Sequence, residues 1–151
     1  MVQMHATVIA INGQGVLLTG PSGSGKSDLA LRLMDTGAEL VGDDYVDLTR
    51  EGDLIVARAP DAIRNLMEVR GLGLVKVPSR ESVPVILACL LKPNANIERL
   101  PESLQVMTVE DIEIPQIEID AGVPSAAARV RFALAHLSDV LCGANKTGDL
   151  L

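Results

Sequence analysis

Aromatic side chains are nearly missing from this 151-residue chain: it has one tyrosine, Tyr45, one phenylalanine, Phe132, and no tryptophan. A platform for stacking single-stranded bases needs several such rings, so that function is excluded. Basic charge is also short. With 13 Lys and Arg against 20 Asp and Glu the net charge is −7, the opposite of a surface that neutralises a phosphate backbone. Nucleic acid is not an expected partner, although a local basic site is compatible with the total. The only cysteines, Cys89 and Cys142, stand in apolar surroundings without a neighbouring histidine. Their spacing is neither a zinc pattern nor a redox motif, and they read as small buried hydrophobes. No apolar run approaches the ~18 residues of a membrane span. The opening residues 1–15 carry no basic start, apolar core or cleavage site, so no signal peptide is expected. A reducing, cytoplasmic setting follows as the default, with no membrane partner.

Enough remains to build a core. The chain is 48% apolar and its length suits one domain, able to bury roughly 70% of the surface the unfolded chain exposes. The expected domain is 1–143, followed by a frayed tail at 144–151. Acidic residues concentrate in 98–120, where seven carboxylates face Arg99 alone; this reads as a solvated face.

Pattern gives a coarse order of elements. His5–Ile11 alternates and is rich in β-formers, Asn12–Gly15 is a turn, and Val16–Thr19 is a short apolar strand. A glycine-rich loop follows, then a helix over Lys26–Thr36 with Leu29, Ala30, Leu33 and Met34 on one face and Gly37 as its stop. Glu39–Gly42 reads as a strand ending at Asp43-Asp44. Val46–Leu48 and Leu54–Ala57 form a hairpin, Asp61–Met67 a short helix, Pro84–Leu91 a central strand, and Leu104–Val109 with Ile112–Ile119 two more strands. A last helix is expected from a cap at Asp120 through Leu137. The class is α/β, a mixed sheet with hairpins and flanking helices.

Gly20-Pro21-Ser22-Gly23-Ser24-Gly25-Lys26-Ser27 matches G-x-x-x-x-G-K-[ST] in full. Glycines allow successive main-chain N–H groups to turn inward around phosphate oxygens, and the helix that follows directs its positive end at the same anion. Lys26 reaches the β- and γ-phosphates, and Ser27 offers a hydroxyl to Mg²⁺. A strand before and a helix after supply the context the motif needs. Nucleotide binding is the expectation; the motif alone leaves kinase, NTPase and switch open.

Asp43-Asp44, at the end of the next strand, occupies the place where phosphate-loop proteins hold the Mg²⁺ shell. Two adjacent carboxylates permit a division between metal and proton transfer. Glu68-Val69-Arg70-Gly71-Leu72-Gly73 implies a tight turn or a backbone pressed against something, with Glu68 a candidate metal ligand and Arg70 a candidate phosphate clamp. His5, in the strand expected to pair with the phosphate-loop strand, reads from pattern as structural, and His136 has no functional reading.

Four segments together carry a resemblance to the catalytic domain of HPr kinase/phosphorylase: Met4-His5; the loop Gly20–Ser27; Leu40-Val41-Gly42-Asp43-Asp44; and Glu68-Val69-Arg70-Gly71-Leu72-Gly73-Leu74. The match is strong over about residues 4–78 and rests on element order beyond them. The chain resembles a short form of the family, its C-terminal catalytic domain alone. The resemblance implies a phosphate-loop fold like that of phosphoenolpyruvate carboxykinase. It also implies ATP- and Mg²⁺-dependent phosphorylation of a serine on the phosphocarrier protein HPr, regulating the phosphotransferase system. It assigns Asp43 as general base with His5 tuning it, Ser27, Asp44 and Glu68 around Mg²⁺, Lys26 and the loop amides on the ATP phosphates, and Arg70 beside the reacting phosphate. A homo-oligomer, a hexameric ring in the family, is a further implication. One stretch departs from the family. A Pro- and Gly-rich tract bearing Arg or Lys, associated with reverse phosphorolysis, is replaced by Ile114–Pro124, which has no basic residue. The competing readings are a small-molecule phosphate-loop kinase and a nucleotide-binding regulatory module with little turnover.

Overall fold

The computed structural model describes residues 1–140; the expected end of the domain at 143, Cys142 and the tail 144–151 lie outside the described residues. Among the described residues, eleven strands and two α-helices alternate unevenly. Strands β1 (Val2–His5), β2 (Thr7–Ile11) and β3 (Gln14–Thr19) precede helix α1 (Lys26–Asp35). Then come β4 (Glu39–Gly42), β5 (Tyr45–Glu51), β6 (Leu54–Arg58), β7 (Leu66–Val69), β8 (Gly73–Lys76) and β9 (Val83–Leu91). The last strands and α-helix of the described residues are β10 (Gln105–Val109), β11 (Ile112–Ile119) and α2 (Ala126–Ala135).

The main sheet is organised around β9. Along one side β9 pairs in parallel with β3, Val16 opposite Leu87 and Leu18 opposite Cys89. Its other side is divided: Val83 and Pro84 meet β6 antiparallel, while Ala88–Leu91 meet β11 in parallel. The path therefore runs β1-β5-β6-β9-β3-β2-β4, with the β10–β11 hairpin joined beside the far end of β9. Strands buried on both faces read as continuous apolar runs, and β2, β3 and β9 do so for that reason. Ile9, Leu18, Leu87 and Cys89 point to the face covered by Leu29 and Leu33 of α1 and Val130 and Leu134 of α2. Their neighbours Val8, Leu17 and Ala88 point to the opposite face, against Val41, Leu48, Ile55 and Ile114. Cys89 is fully buried, and burial pushes its thiol up to about 12, so it is an inert core residue.

Three expected elements take a different form. His5–Ile11 is two strands: the chain breaks at Ala6, whose N–H donates to Asp44 O at 3.0 Å. β1 then pairs with β5 while β2 pairs with β3, so His5 does not lie in the strand beside the phosphate-loop strand. Asp61–Met67 is not a helix. A single 3-10 turn at Asp61–Ile63 gives way, through Asn65 at φ +64°, to β7, which pairs with β8 as a separate two-stranded sheet. Asp120 caps no helix; its carboxylate binds the main-chain N–H groups of Gly122 and Asn94, and α2 begins six residues later at Ala126.

Candidate active site

β3 ends at Thr19, and the chain turns through Gly20–Gly25 into the first turn of α1. Gly20, Gly23 and Gly25 have φ of +141°, +81° and +98°, values that side-chain-bearing residues rarely adopt. At two of them space is also lacking. A Cβ on Gly20 would stand 2.8 Å from Ser24 Oγ, and one on Gly25 would stand 2.9 Å from Ala121 Cβ. Ser24 Oγ is buried with no hydrogen-bond partner among the described residues, an unsatisfied group inside a loop shaped for an anion. Lys26 is only 7% exposed. Its Nζ donates to Gly20 O at 2.7 Å and Pro21 O at 3.0 Å. Burial lowers the lysine's pKa below its usual 10.5, and the charges of Asp44 and Asp43 act in the opposite direction. A buried cation whose hydrogen bonds go to neutral carbonyls gains from an incoming anion.

β4 delivers Asp43 and Asp44 to opposite surroundings. Asp43 is 5% exposed. Its Oδ1 accepts from Ser27 Oγ at 2.7 Å and from Thr7 Oγ1 at 3.0 Å, and its Oδ2 accepts from the Glu68 main-chain N–H at 3.3 Å. The backbone bends at Asp44, with φ +72°, and Tyr45 N donates to Asp43 O at 2.8 Å. The bend turns the second carboxylate outward. The Asp44 side chain is 64% exposed and its Oδ1 accepts from His5 Nε2 at 2.8 Å. The His5 ring also lies against Tyr45, centroids 5.1 Å apart.

Glu68 and Arg70 come from the β7–β8 hairpin. Glu68 faces Leu74 and Val69 faces Gly73 across the ladder. The turn is closed by Leu72 N donating to Val69 O at 2.9 Å, with Gly71 and Gly73 at φ +91° and +92°. Met67, buried in the helix-side core, fixes the hairpin to the body.

These elements enclose a cavity of about 990 Å³. Its wall includes Ser22–Ser27, His5, Asp44, Glu68 and Arg70. Asp43 lies behind the wall, bonded to Ser27, and the carbonyls of Gly20 and Pro21 hold Lys26. The phosphate-loop residues, His5, Asp43, Asp44, Glu68 and Arg70 thus lie on or directly behind one cavity wall. Two contributors carried no legible signal. Thr7 sits inside an apolar strand, where threonine is ordinary. Asp120, expected from the sequence only as a helix cap, lines the cavity with Ala121 and Gly122.

The donor set suits a hard cation. Ser27 Oγ and Asp43 Oδ1 are adjacent, and the Glu68 main chain is tied to the same aspartate. Among the described residues no group of three or more His, Cys, Asp or Glu side chains forms a closed cage. Mg²⁺ is held in this manner by one or two protein oxygens, with water and substrate phosphates completing the octahedron.

Comparison with known proteins agrees with the architecture. The family model described as HPr Serine kinase C-terminal domain matches residues 1–131. The chain is 38% identical over 129 residues to HPr kinase/phosphorylase of Burkholderia lata, covering 79% of this chain and 40% of that protein. It is 36% identical over 131 residues to HPr kinase/phosphorylase of Lactobacillus acidophilus, covering 80% and 41%. The match thus spans about 40% of the length of these relatives. Among solved structures, the Hpr(Ser) kinase/phosphatase from Coxiella burnetii superposes with a TM-score of 0.81 at 24% identity, over 91% of this chain and 97% of that one. The shared architecture is the mixed α/β sheet with hairpins and flanking helices, the phosphoenolpyruvate-carboxykinase-like phosphate-loop fold.

Proposed function

The chain belongs to the HPr serine kinase C-terminal domain family, and from that premise we propose that it is an ATP- and Mg²⁺-dependent protein-serine kinase whose substrate is an HPr-type phosphocarrier protein. The observation that carries the reading is the convergence of Lys26, Ser27 with Asp43, Asp44 with His5, and Arg70 on one cavity. A cytoplasmic enzyme that regulates the phosphotransferase system, with residues 1–143 as its catalytic domain, completes the proposal. Homo-oligomerisation rests on the family resemblance alone. No helix among the described residues is long and apolar enough to cross a membrane.

In this reading the loop N–H groups and Lys26 hold the phosphates. Mg²⁺, bound beside Ser27, Asp43 and Glu68, would neutralise charge on the transferring group. The two aspartates divide the work in the reverse of the order that resemblance alone suggests. Asp43 already accepts three hydrogen bonds and is buried behind Ser27, which suits the metal shell. Asp44 is exposed and paired with a histidine, which suits proton transfer. The acceptor serine Oγ forms the new bond to the γ-phosphorus as the bond to ADP breaks, and the serine proton passes to the Asp44 carboxylate. His5 Nε2 orients that carboxylate. Arg70, on the cavity wall, would stabilise charge on the transferred group. Reverse phosphorolysis requires a site for free phosphate, and between Ile114 and Pro124 the chain offers no basic side chain. We therefore assign the forward reaction as the principal one.

The test is incubation with γ-labelled ATP, Mg²⁺ and a purified HPr-type protein. Label on the acceptor protein, stable to hydroxylamine and mild acid, is expected. An acid-labile phosphohistidine, or label transferred only to small metabolites, would refute the assignment. Asp44→Asn should lower the single-turnover rate ~10²–10⁴-fold with MgATP affinity kept, and Asp43→Asn should raise the Mg²⁺ requirement. Identical losses in the same parameter would contradict the division of labour.

A further inference from the structure

The cavity has two flanks on either side of the N-terminus of α1. On one lies the hairpin, with Arg70, beside Asp44 and His5. On the other lies the turn Asp120-Ala121-Gly122, which leaves β11 and packs against the phosphate loop where Gly25 meets Ala121. Arg32 of α1 donates to Ala121 O and pairs with Asp28 at 3.2 Å, so the Asp28–Arg32 side of the helix faces this second flank. All the groups assigned to the reaction are at the loop or on the first flank. With the terminal phosphate assigned to Ser27 and Asp44, Asp28 and Asp120 are among the lining side chains left for the remote part of the nucleotide.

The chemistry of that end is unsuited to phosphate. The lysine and arginine that line the cavity, Lys26 and Arg70, are at the loop and the hairpin, whereas the second flank presents Asp28, Asp120, Ala121 and Gly122. Asp28 is engaged by Arg32. The Asp120 carboxylate is held rigidly: Oδ1 accepts from Gly122 N at 2.7 Å and Oδ2 from Asn94 N at 2.8 Å. The same two bonds lower its pKa below the ordinary value, so it stays an anion. Each oxygen retains acceptor capacity. Arg32 compensates Asp28, which leaves Asp120 as the carboxylate of this flank with acceptor capacity to offer a ligand. The part of a nucleotide that carries O–H donors and no charge is the sugar, and carboxylates are apt acceptors for its hydroxyls.

We infer that Asp120 is a ribose-binding residue, its carboxylate accepting the sugar hydroxyls of the nucleotide at the end of the cavity remote from the reacting groups. The inference rests on the nucleotide reading of the site and adds a determinant of nucleoside recognition to it.

The experiment is calorimetric titration of the full chain, with Mg²⁺, against ATP, 2′,3′-dideoxy-ATP and inorganic tripolyphosphate, for the wild type, Asp120→Ala and Asp120→Asn. The wild type should bind ATP about tenfold more tightly than the dideoxy nucleotide, the scale of hydrogen bonds to a charged acceptor. Asp120→Ala should bring that ratio close to one while tripolyphosphate binds no more weakly than before. Using the ratio cancels any general electrostatic effect of removing the anion. Asp120→Asn, which keeps one carbonyl oxygen for a main-chain N–H, should reduce the ratio several-fold and serves in place of the alanine variant should that fail to fold. A wild type that binds both nucleotides equally, or variants that keep the full ratio, would overturn the inference and leave the kinase reading standing. Equal loss of ATP, dideoxy-ATP and tripolyphosphate would also overturn it, marking Asp120 as a support of the phosphate loop alone. Failure of the wild type to bind any triphosphate would overturn both.

Discussion

The two sides of the site are built differently. The phosphate-loop side rests on the main sheet: β3 and β4 enter it from the buried core, Lys26 and Asp43 are themselves buried, and Asp43 alone accepts three hydrogen bonds. The hairpin side is a two-stranded sheet of its own, packed on the core through Met67 and Val69 and tied to Asp43 by one main-chain bond, with Leu72 and Leu74 75% and 68% exposed near its tip. Two isolated strands are marginally stable without packing. The loop groups are thus preorganised by the core, while Glu68 and Arg70 are carried on a separate two-stranded sheet.

That contrast can be broken by substitution. The largest effect is expected from Lys26→Ala, which should lower turnover by about 10²–10³-fold; a folded variant with near-wild-type turnover would remove the loop from the mechanism. Arg70→Ala should lower turnover about 10²-fold yet leave the urea unfolding free energy within about 0.5 kcal/mol of wild type, as expected for an exposed position. A matching loss of stability would show that the hairpin is part of the cooperative core. Asp43→Ala should do the reverse in stability: it strands the Thr7 and Ser27 hydroxyls and the Glu68 N–H, at about 1–3 kcal/mol, read from urea midpoints at constant slope. The smallest effect concerns pH. The folded pKa of Lys26 is lowered by burial below 10.5, so between the two values the unfolded chain binds more protons and stability rises with pH. Lys26→Met should abolish that rise when urea midpoints are compared in steps up to pH 10.5.

The same division governs what was legible in the chain. The loop, α1, β4, the β5–β6 hairpin and β9 are local patterns with a single outcome, and the structure shows each within a few residues of its expected bounds. The β7 segment was legible only in part. Seven residues with an apolar pair fit either a helical turn or a short strand, and the decision is made by pairing with Gly73–Lys76 and by Asn65 at φ +64°. The break at Ala6 is invisible for a related reason. Both halves favour β structure, and what separates them is a bond to Asp44 O, 38 positions away in sequence. Likewise Asp43 and Asp44 are equivalent as letters; only the bend between them sends one to Ser27 and the other to His5. Asp120 looked like a helix cap because aspartate before a helix usually is one, but Pro124 and the bonds to Asn94 and Gly122 delay the helix to Ala126.

The bend at Asp44 has a consequence for how this position can vary. At φ +72° its backbone occupies the left-handed region, which asparagine, aspartate and glycine enter readily and β-branched residues do not. A saturation library at codon 44, screened for folded protein rather than for activity, should therefore return Asn and Gly as its best-tolerated replacements and lose Val, Ile and Thr. Glutamate, one methylene longer and chemically the nearest substitute, should fare worse than asparagine, because at this site the main chain selects before the carboxylate does.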